Sequence, residues 1–391
     1  MNSAGATEVA ASHRALLARF EAQNRAALAR VISIVENQRD GFRDLLSALH
    51  PRIGRAHRIG VTGPPGAGKS TLTAALITHY RQQDETVAVI AVDPTSPFTG
   101  GALLGDRIRM NEMSMADGVF IRSMATRGSL GGLALATKEV ADVMDAFGFD
   151  RIIVETVGVG QSELDIAAAA DTTVVVLVPE SGDGIQAMKA GLMEAADLFV
   201  INKADRPGAD RVAREVSMML HFRTGKALRN VPAHHGVDLK RLRGRAAAAT
   251  GPAPAPGLST TRAAGAATPA ANSPDASNSD ADATAVGGTV PDPWEIPVLK
   301  TIADTGDGVV ELAETLDRHR TWLAASGELS RRRRQRLSDR VREEVARSLL
   351  RTVWEEQGGA TALNRSLPAL EAGDTTPYQV AAQIVRAARG Q

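Results

Sequence analysis

The chain has 391 residues, and its 45 lysines and arginines balance 45 aspartates and glutamates, so the formal net charge is zero. Hydrophobic residues make up 43% of the sequence, which excludes a chain that is disordered throughout. The neutral balance argues against a non-specific nucleic-acid binder, and the absence of cysteine excludes disulfides, thiolate metal sites and cysteine nucleophiles.

The N-terminal segment is polar and lacks the apolar centre of a secretory signal. No run of about 18 apolar residues follows, which is the length that a membrane-spanning helix requires. We therefore expect a cytoplasmic protein without a membrane partner. Residues 13–49 carry apolar side chains at helical spacing and are predicted to form two or more helices.

Beyond Arg58, short apolar runs alternate with helical stretches. Seven runs rich in Val and Ile are predicted strands, namely HRIGVTG, TVAVIAVD, VFIRSM, RIIVETVG, TTVVVLVP, LFVINKAD and IPVLKTIA. The stretches 70–82 and 131–147 are predicted crossover helices. This alternation predicts an α/β fold, with a doubly wound and mostly parallel sheet.

The segment that follows the first predicted strand has the sequence GPPGAGKST. Its glycines allow the backbone to curl so that N–H groups point at a phosphate, and the next helix adds the positive end of its dipole. This pattern is typical of nucleoside triphosphate binding. The predicted nucleotide contacts in this loop are Gly63, Gly66, Ala67, Gly68, Lys69, Ser70 and Thr71. Lys69 is expected to place its charge between the β- and γ-phosphates, and the Ser70 hydroxyl is expected to bind Mg²⁺.

A second motif, Asn202-Lys203-Ala204-Asp205, follows the predicted strand LFVI. The Asp205 carboxylate can accept hydrogen bonds from the N1–H and N2–H groups of guanine, whereas adenine would leave it unpaired. The aliphatic stem of Lys203 can pack over the base. The predicted ligands are therefore GTP and GDP.

Acidic residues follow two other predicted strands, at Asp93 and Glu155. Ligands of open α/β sheets gather at the carboxyl ends of strands, and carboxylates there can hold Mg²⁺ directly or through water. Asp106 is a further candidate on the metal side, and Gly158 leaves room for a backbone N–H near the γ-phosphate. For three arginines, two interpretations remain open: they stabilise the charge on the phosphates, or they are ordinary surface residues. These are Arg107, Arg109 and Arg127.

The C-terminal part of the sequence looks helical over 308–357, and a shorter helix is predicted over 377–389. The residues Leu337, Val341, Val345, Leu349 and Val353 form an apolar row that is either core or a dimer seam. The basic run 331–336 is predicted to be a solvated helix face. The adjacent pair His234-His235 lacks a spaced partner and is interpreted as structural.

The segment 246–290 is rich in Ala, Pro, Ser, Thr and Asp and has almost no large apolar side chains. It is predicted to be a disordered insertion within one domain. The predicted layout is an N-terminal helical extension over 1–55, a G domain over 56–317 that contains the insertion, and a helical dimerisation arm over 318–391.

Four segments in order, VDPTSPFTGGALLGDRIRM, SMATRGSLGG, ETVGVGQSE and NKAD, resemble the MeaB/ArgK-like P-loop GTPases of the SIMIBI class, a family that includes the methylmalonic aciduria type A protein. The resemblance covers roughly 28–245 and 293–357. It implies a homodimeric, GTP-hydrolysing chaperone of an adenosylcobalamin-dependent acyl-CoA mutase, which gates cofactor delivery and protects the mutase.

By this resemblance, five residues would serve Mg²⁺ and the phosphates, namely Lys69, Ser70, Asp93, Asp106 and Glu155. Gln161 is a candidate to position the attacking water. The segment 180–189 resembles the third switch of the family, but Gly184 replaces the acidic residue that is usual there.

Two alternatives remain open at this point. A GTPase that delivers nickel usually carries tracts rich in Cys or His, and this chain has no cysteine and 8 histidines, which counts against that reading. A kinase acting on a transport protein, the older ArgK label, would need a catalytic base that the sequence does not display.

Overall fold

A computed structural model describes residues 11–93, 116–125, 132–156, 169–180, 192–223 and 291–390. In these ranges seven strands form one sheet, β1 (His57–Thr62), β2 (Val87–Asp93), β3 (Val119–Ala125), β4 (Arg151–Thr156), β5 (Thr172–Leu177), β6 (Leu198–Ile201) and β7 (Val298–Lys300). Their order is β3-β2-β4-β1-β5-β6-β7, and every neighbouring pair is parallel. The seven predicted strands and the α/β parallel fold class are thereby confirmed.

Eleven α-helices lie in the described ranges: α1 (Ala11–Glu21), α2 (Arg25–Glu36), α3 (Phe42–Leu49), α4 (Lys69–Gln82), α5 (Gly132–Phe147), α6 (Leu192–Ala195), α7 (Ala209–Arg223), α8 (Val309–Ala325), α9 (Glu328–Arg351), α10 (Gly359–Ala372) and α11 (Pro377–Ala388). The predicted N-terminal helices are α1 to α3, and the two predicted crossover helices are α4 and α5. These predictions are confirmed.

The sheet is covered on both faces, because successive residues of its strands point to opposite sides. Ile90 and Val154 belong to a buried cluster with α5 and the N-terminal helices. Val89 and Ile153, one residue earlier, belong to a second buried cluster with α4 and α8. Burial on both faces explains why the strands are nearly continuous in Val and Ile.

Strand β1 lies in the middle of the sheet, between β4 and β5. The loop from β1 to α4 therefore emerges at the carboxyl edge, where the ends of β4 and β6 also lie. Open α/β sheets bind their ligands at this edge. The fold thus brings the phosphate-loop residues, Glu155 and Asn202 to one side of the molecule.

The C-terminal region is more segmented than predicted. The stretch 308–357 is divided into α8 and α9 at Gly327, whose φ of +76° is a conformation that favours glycine. A π-helical turn, Thr352–Glu356, follows α9. Helix α10 was not predicted, because its glycine-rich start and the internal Pro368 are local signals against a helix.

The exposure of side chains on helix α9 shows whether the apolar row belongs to the core. Leu337, Val341, Val345 and Leu349 are all exposed, so the core interpretation is wrong for them. The prediction of a solvated basic face is wrong for Arg332, Arg333 and Arg336, which are partly buried and donate hydrogen bonds to carboxylates. The reason is tertiary, since these acids lie about 135 to 165 residues earlier in the chain.

The chain divides into two compact units, residues 1–218 with 291–391, and residues 219–290. Only 219–223 of the second unit belong to the described residues. The insertion 246–290 and the pair His234-His235 lie outside them, and the predicted domain boundaries stay predictions. No helix in the described part of the chain is long and apolar enough to cross a membrane. The cytoplasmic location stays a prediction.

Candidate functional site

The phosphate loop runs from the end of β1 to the start of α4. Gly63 has a φ of +140°, and a Cβ atom placed there would lie 2.1 Å from the backbone oxygen of Val176 in β5. Only glycine therefore allows the loop to leave β1 so close to the neighbouring strand. Gly68, with a φ of +84°, precedes the first residue of α4.

Lys69 is the first residue of α4, and only 5% of it is exposed. Its ammonium group donates hydrogen bonds to the backbone oxygens of Gly63, at 2.9 Å, and Pro64, at 3.0 Å. The positive charge is thus held inside the curve of the loop. This is the position from which a lysine can reach the phosphates of a nucleotide.

Ser70 follows in the first turn of α4, and its hydroxyl donates a hydrogen bond to the carboxylate of Glu155. Glu155 lies near the end of β4 and pairs in register with Val61 of β1, which places it beside the phosphate loop. A hydroxyl and a carboxylate are oxygen ligands of the kind that Mg²⁺ prefers. The donor set in contact here fits the predicted metal.

Asn202 links the second motif to the phosphate loop, and it is buried. Its amide nitrogen donates a hydrogen bond of 2.9 Å to the backbone oxygen of Ala67. Its side-chain oxygen accepts hydrogen bonds from the Thr301 hydroxyl, at 3.1 Å, and from the Ala303 N–H, at 3.0 Å. One side chain therefore joins three loops at the carboxyl edge of the sheet.

Lys203 adopts a left-handed conformation with a φ of +56°, which is uncommon for a residue with a side chain. Its ammonium group donates a hydrogen bond of 2.8 Å to the backbone oxygen of Gly66. The stem of Lys203 is thereby stretched from the second motif to the phosphate loop. Asp205 lies two residues later in an exposed turn.

The loop after β7 is a part of the site that the sequence patterns did not indicate. The segment IPVLKTIA was interpreted only as a strand, but β7 ends at Lys300 and the residues that follow turn towards Asn202. The Ala204 N–H donates to the backbone oxygen of Thr301, at 3.0 Å. The available signal was a polar residue, Thr301, directly after the last strand, at the edge where ligands gather.

An ion pair lies next to the second motif. Arg206 follows Asp205 and contacts the Glu180 carboxylate at 2.6 Å. This arginine lowers the pKa of Glu180, chiefly through its hydrogen bond. Glu180 is the first residue of the predicted third switch, and residues 181–191 lie outside the described ones.

Several predicted site residues also lie outside the described part of the chain, namely Asp106, Arg107, Arg109, Arg127, Gly158 and Gln161. Asp93 ends β2 at the expected edge of the sheet, but its side chain is not among those described. Thr71 lies in the first turn of α4. The individual roles of all these residues stay predictions.

A family model for "Methylmalonyl Co-A mutase-associated GTPase MeaB" matches residues 28–358, a span that contains the phosphate loop, Asn202 and α9. The chain belongs to the MeaB family. It is a P-loop GTPase, and its fold and motifs imply binding of GTP and GDP.

Named relatives agree with membership of the MeaB family. The chain is 42% identical over 331 residues to a protein of Pyrococcus horikoshii that is named as a GTPase, covering 85% of each chain. It is 40% identical over 195 residues to the mitochondrial methylmalonic aciduria type A homolog of Mus musculus, covering 46% of this chain and 47% of that one. A crystal structure of a LAO/AO transport system kinase is similar over 99% of this chain and 98% of its own, with 25% identity and a TM-score of 0.57.

Proposed function

We propose that this GTPase is a chaperone of an adenosylcobalamin-dependent acyl-CoA mutase of the methylmalonyl-CoA mutase type. In this role it gates delivery of the cofactor and protects the mutase. The observation that carries the proposal is the match to a family described as mutase-associated over residues 28–358. The likeness to a mouse protein named for methylmalonic aciduria supports the same partner.

The guanine base is proposed to bind between Lys203, Asp205 and the loop after β7. Asn202 supports this reading because it fixes that loop and the phosphate loop to the second motif through three hydrogen bonds. A buried amide with three hydrogen bonds holds its neighbours in place, which favours selective recognition of the base. The proposed role of Asp205 is to accept the two N–H groups of guanine.

Mg²⁺ is proposed to be held by Ser70 and Glu155, with Asp93 and Asp106 on the same side. A bound Mg²⁺ neutralises charge that develops on the phosphate oxygens. Lys69 adds a second positive charge from within the loop, and Gln161 is proposed to orient the attacking water. We expect slow GTP turnover by the isolated chain and faster turnover in the presence of the mutase.

The functional form is proposed to be a homodimer that acts in the cytoplasm. The exposed row formed by Leu337, Val341, Val345 and Leu349 supports this assembly, because four aligned apolar side chains on one helix favour burial against a partner. The row has the spacing of a helix–helix seam. A second copy of the chain carries the same row and can cover it by a two-fold axis.

The experiment that tests the proposed partner is calorimetric titration of the purified chain into a methylmalonyl-CoA mutase. It is run once with a non-hydrolysable GTP analogue and once with GDP. We expect the affinity for the mutase to differ between the two nucleotides by about tenfold or more, which corresponds to a coupling of about 1.4 kcal/mol.

The matched control is the Asp205→Asn variant, in which mutase binding should differ little between the two guanine nucleotides, because the affinity for both is strongly reduced. Addition of the mutase should also raise GTP turnover by the unmodified chain. If the chain does not bind the mutase, or binds it equally with both nucleotides, the mutase is not the partner. The GTPase assignment would be unaffected by that result.

A further inference from the structure

An ordinary surface helix packs its apolar face against the protein and exposes its charged face, whereas helix α9 does the opposite. The apolar row of Leu337, Val341, Val345 and Leu349 faces away from the rest of the chain, and Val341 is 63% exposed. The partly buried face is charged, and no residue of α9 is fully buried. Packing of apolar side chains therefore does not explain how this helix of 24 residues is held against the body.

Arginines of the first half of α9 bind carboxylates at the amino ends of β5 and β6. Arg332 places two nitrogen atoms at 2.9 and 2.8 Å from the two oxygens of Asp197, which is a bidentate contact. Arg333 and Arg336 both bind Asp171, and the Arg333 contact measures 3.0 Å. Residues on one helix face, one turn apart, thus meet acids from two strands.

The second half of α9 is joined to α5. Arg340 contacts Asp142, and Glu343 contacts the Lys138 ammonium at 2.9 Å. One turn further on, Arg347 lies 3.5 Å from the carboxylate of Glu139. The charged contacts therefore continue along most of the length of α9.

The acids in these pairs are buried where the helix covers them. The Asp171 side chain has no exposed surface and also accepts the backbone N–H of Arg58. Burial alone would raise the pKa of Asp171, but Arg336 and Arg333 outweigh it and hold the pKa well below its usual range. Removing the arginines would leave a buried carboxylate without its counter-charge, which is strongly unfavourable.

We propose that these ion pairs fix the rotation of α9 about its own axis and so keep the apolar row facing outward. Turning α9 by half a revolution would bring the apolar row towards the body and withdraw Arg332, Arg333, Arg336, Arg340 and Arg347 from their carboxylates. The hydrophobic effect favours that turn, whereas the buried acids, which would lose their partners on α9, oppose it. The charged face thus selects one orientation of α9, a kind of conformational specificity that buried ion pairs provide in some other proteins.

The test uses the absence of cysteine from the natural sequence, so that introduced cysteines are the sole thiols. One variant carries Lys138→Cys with Glu343→Cys, which places both thiols on the facing sides of α5 and α9. These changes remove the Lys138–Glu343 pair and leave the arginine pairs in place, so the comparison tests the arginines. The other carries Lys138→Cys with Val345→Cys, which places the second thiol on the outward face. Both are treated with a short bis-maleimide, and intramolecular product is separated from cross-linked pairs of chains by gel mobility.

We expect the facing pair to cross-link at least about tenfold faster than the outward pair, because proximity sets the effective concentration of the second thiol. Adding Arg336→Gln and Arg340→Gln should reduce this preference to about twofold or less. The matched control, Arg331→Gln with Arg342→Gln, removes arginines whose partners lie on α9 itself and should retain the preference.

A preference that survives neutralisation of Arg336 and Arg340 would overturn the proposal, as would equal cross-linking of both pairs in the natural background. If the double neutralisation prevents folding, the single change Arg340→Gln provides the same comparison with the other four arginine contacts to the body still in place. It should lower the preference by about threefold or more. An unchanged ratio in that variant would also overturn the proposal.

Discussion

The side-chain amide of Asn202 lies 2.9 Å from the backbone oxygen of Ala67, so the second motif holds the phosphate loop directly. The same residue accepts two hydrogen bonds from the loop after β7. Segments that are more than 130 residues apart along the chain are therefore joined by one buried side chain. The proposed base-binding motif and the phosphate loop are therefore directly connected at this point.

Replacing Asn202 with alanine should weaken nucleotide binding. The change removes three hydrogen bonds and leaves the Ala303 N–H without its acceptor, at a cost of about 2–4 kcal/mol shared between the loops. GDP affinity measured by calorimetry should fall by about 10- to 100-fold. The control, Asn364→Ala on the exposed side of α10, should bind GDP like the natural chain, and equal effects of both changes would contradict the assigned role.

Because Gly63 passes so close to β5, adding one methyl group at this position should strongly lower the stability of the fold. In Gly63→Ala the new Cβ would meet the Val176 backbone oxygen at 2.1 Å, so the loop or the strand must shift. Unfolding by urea should show a loss above about 3 kcal/mol.

Gly148 is the control for Gly63, since it has a similar φ of +108° but no atom within 4 Å of the position that a new methyl group would take. Gly148→Ala should lose about 1–2 kcal/mol, from backbone conformation alone. A loss for Gly63→Ala that does not exceed that of Gly148→Ala would show that the close contact is relieved without cost.

A buried chain of hydrogen bonds lies at the amino ends of the central strands, opposite the phosphate loop. Arg151 meets His57 Nδ1 at 3.1 Å, and His57 Nε2 and His319 Nδ1 each lie 2.8 Å from the Thr172 hydroxyl. Since arginine can only donate, His57 Nδ1 must accept, and its proton therefore sits on Nε2. The Thr172 hydroxyl accepts a hydrogen bond from that N–H, and its own hydrogen can be donated to His319 Nδ1, an arrangement in which both imidazoles are neutral.

This chain of hydrogen bonds predicts a pH dependence of stability. Burial lowers the pKa of His57 to about 3 and that of His319 to about 4. In the unfolded chain both have pKa values near 6.5, so between about pH 6.5 and 4 the unfolded state binds more protons than the folded state. Stability should therefore be complete above about pH 6.5 and should decline as the pH falls, by about 1.4 kcal/mol per pH unit for each proton.

Urea unfolding at several pH values between about 4.5 and 7 checks this dependence. The variant His57→Gln should have a shallower decline than the natural chain, because one titrating imidazole has been removed. The partly exposed residue His79 is the control, and His79→Gln should keep the full slope. Identical slopes in His57→Gln and the natural chain would contradict the neutral, buried state of His57.

The strands and the phosphate loop could be predicted because their signals are local. Runs of Val and Ile indicate buried parallel strands, and the glycine spacing before Lys69 indicates the loop. Partners that are distant along the chain have no such signal. The inward direction of Arg336 depends on Asp171, 165 residues earlier, and no periodicity in the sequence around α9 indicates it.

The same limit explains the missed loop after β7 and the histidine chain. Thr301 joins the site through Asn202, which lies 99 residues away, and Thr172 meets His319 across 147 residues. Helix α10 was missed for a local reason, since Pro368 and two glycines outweigh its weak apolar pattern. Sequence patterns therefore indicated the class of ligand, while the supporting contacts could be seen only in the fold.

We propose that a guanine nucleotide binds at the carboxyl ends of the strands of this sheet, with its base held by Asp205. The most direct measurement is kcat/KM for GTP and for xanthosine triphosphate, in the natural chain and in Asp205→Asn. The natural chain should prefer GTP. In the variant, the asparagine amide can donate to the C2 oxygen of xanthine and no longer accepts both N–H groups of guanine, so the preference should change by about 100-fold or more towards xanthosine triphosphate. Strict GTP preference in Asp205→Asn would contradict the proposed contact between Asp205 and guanine.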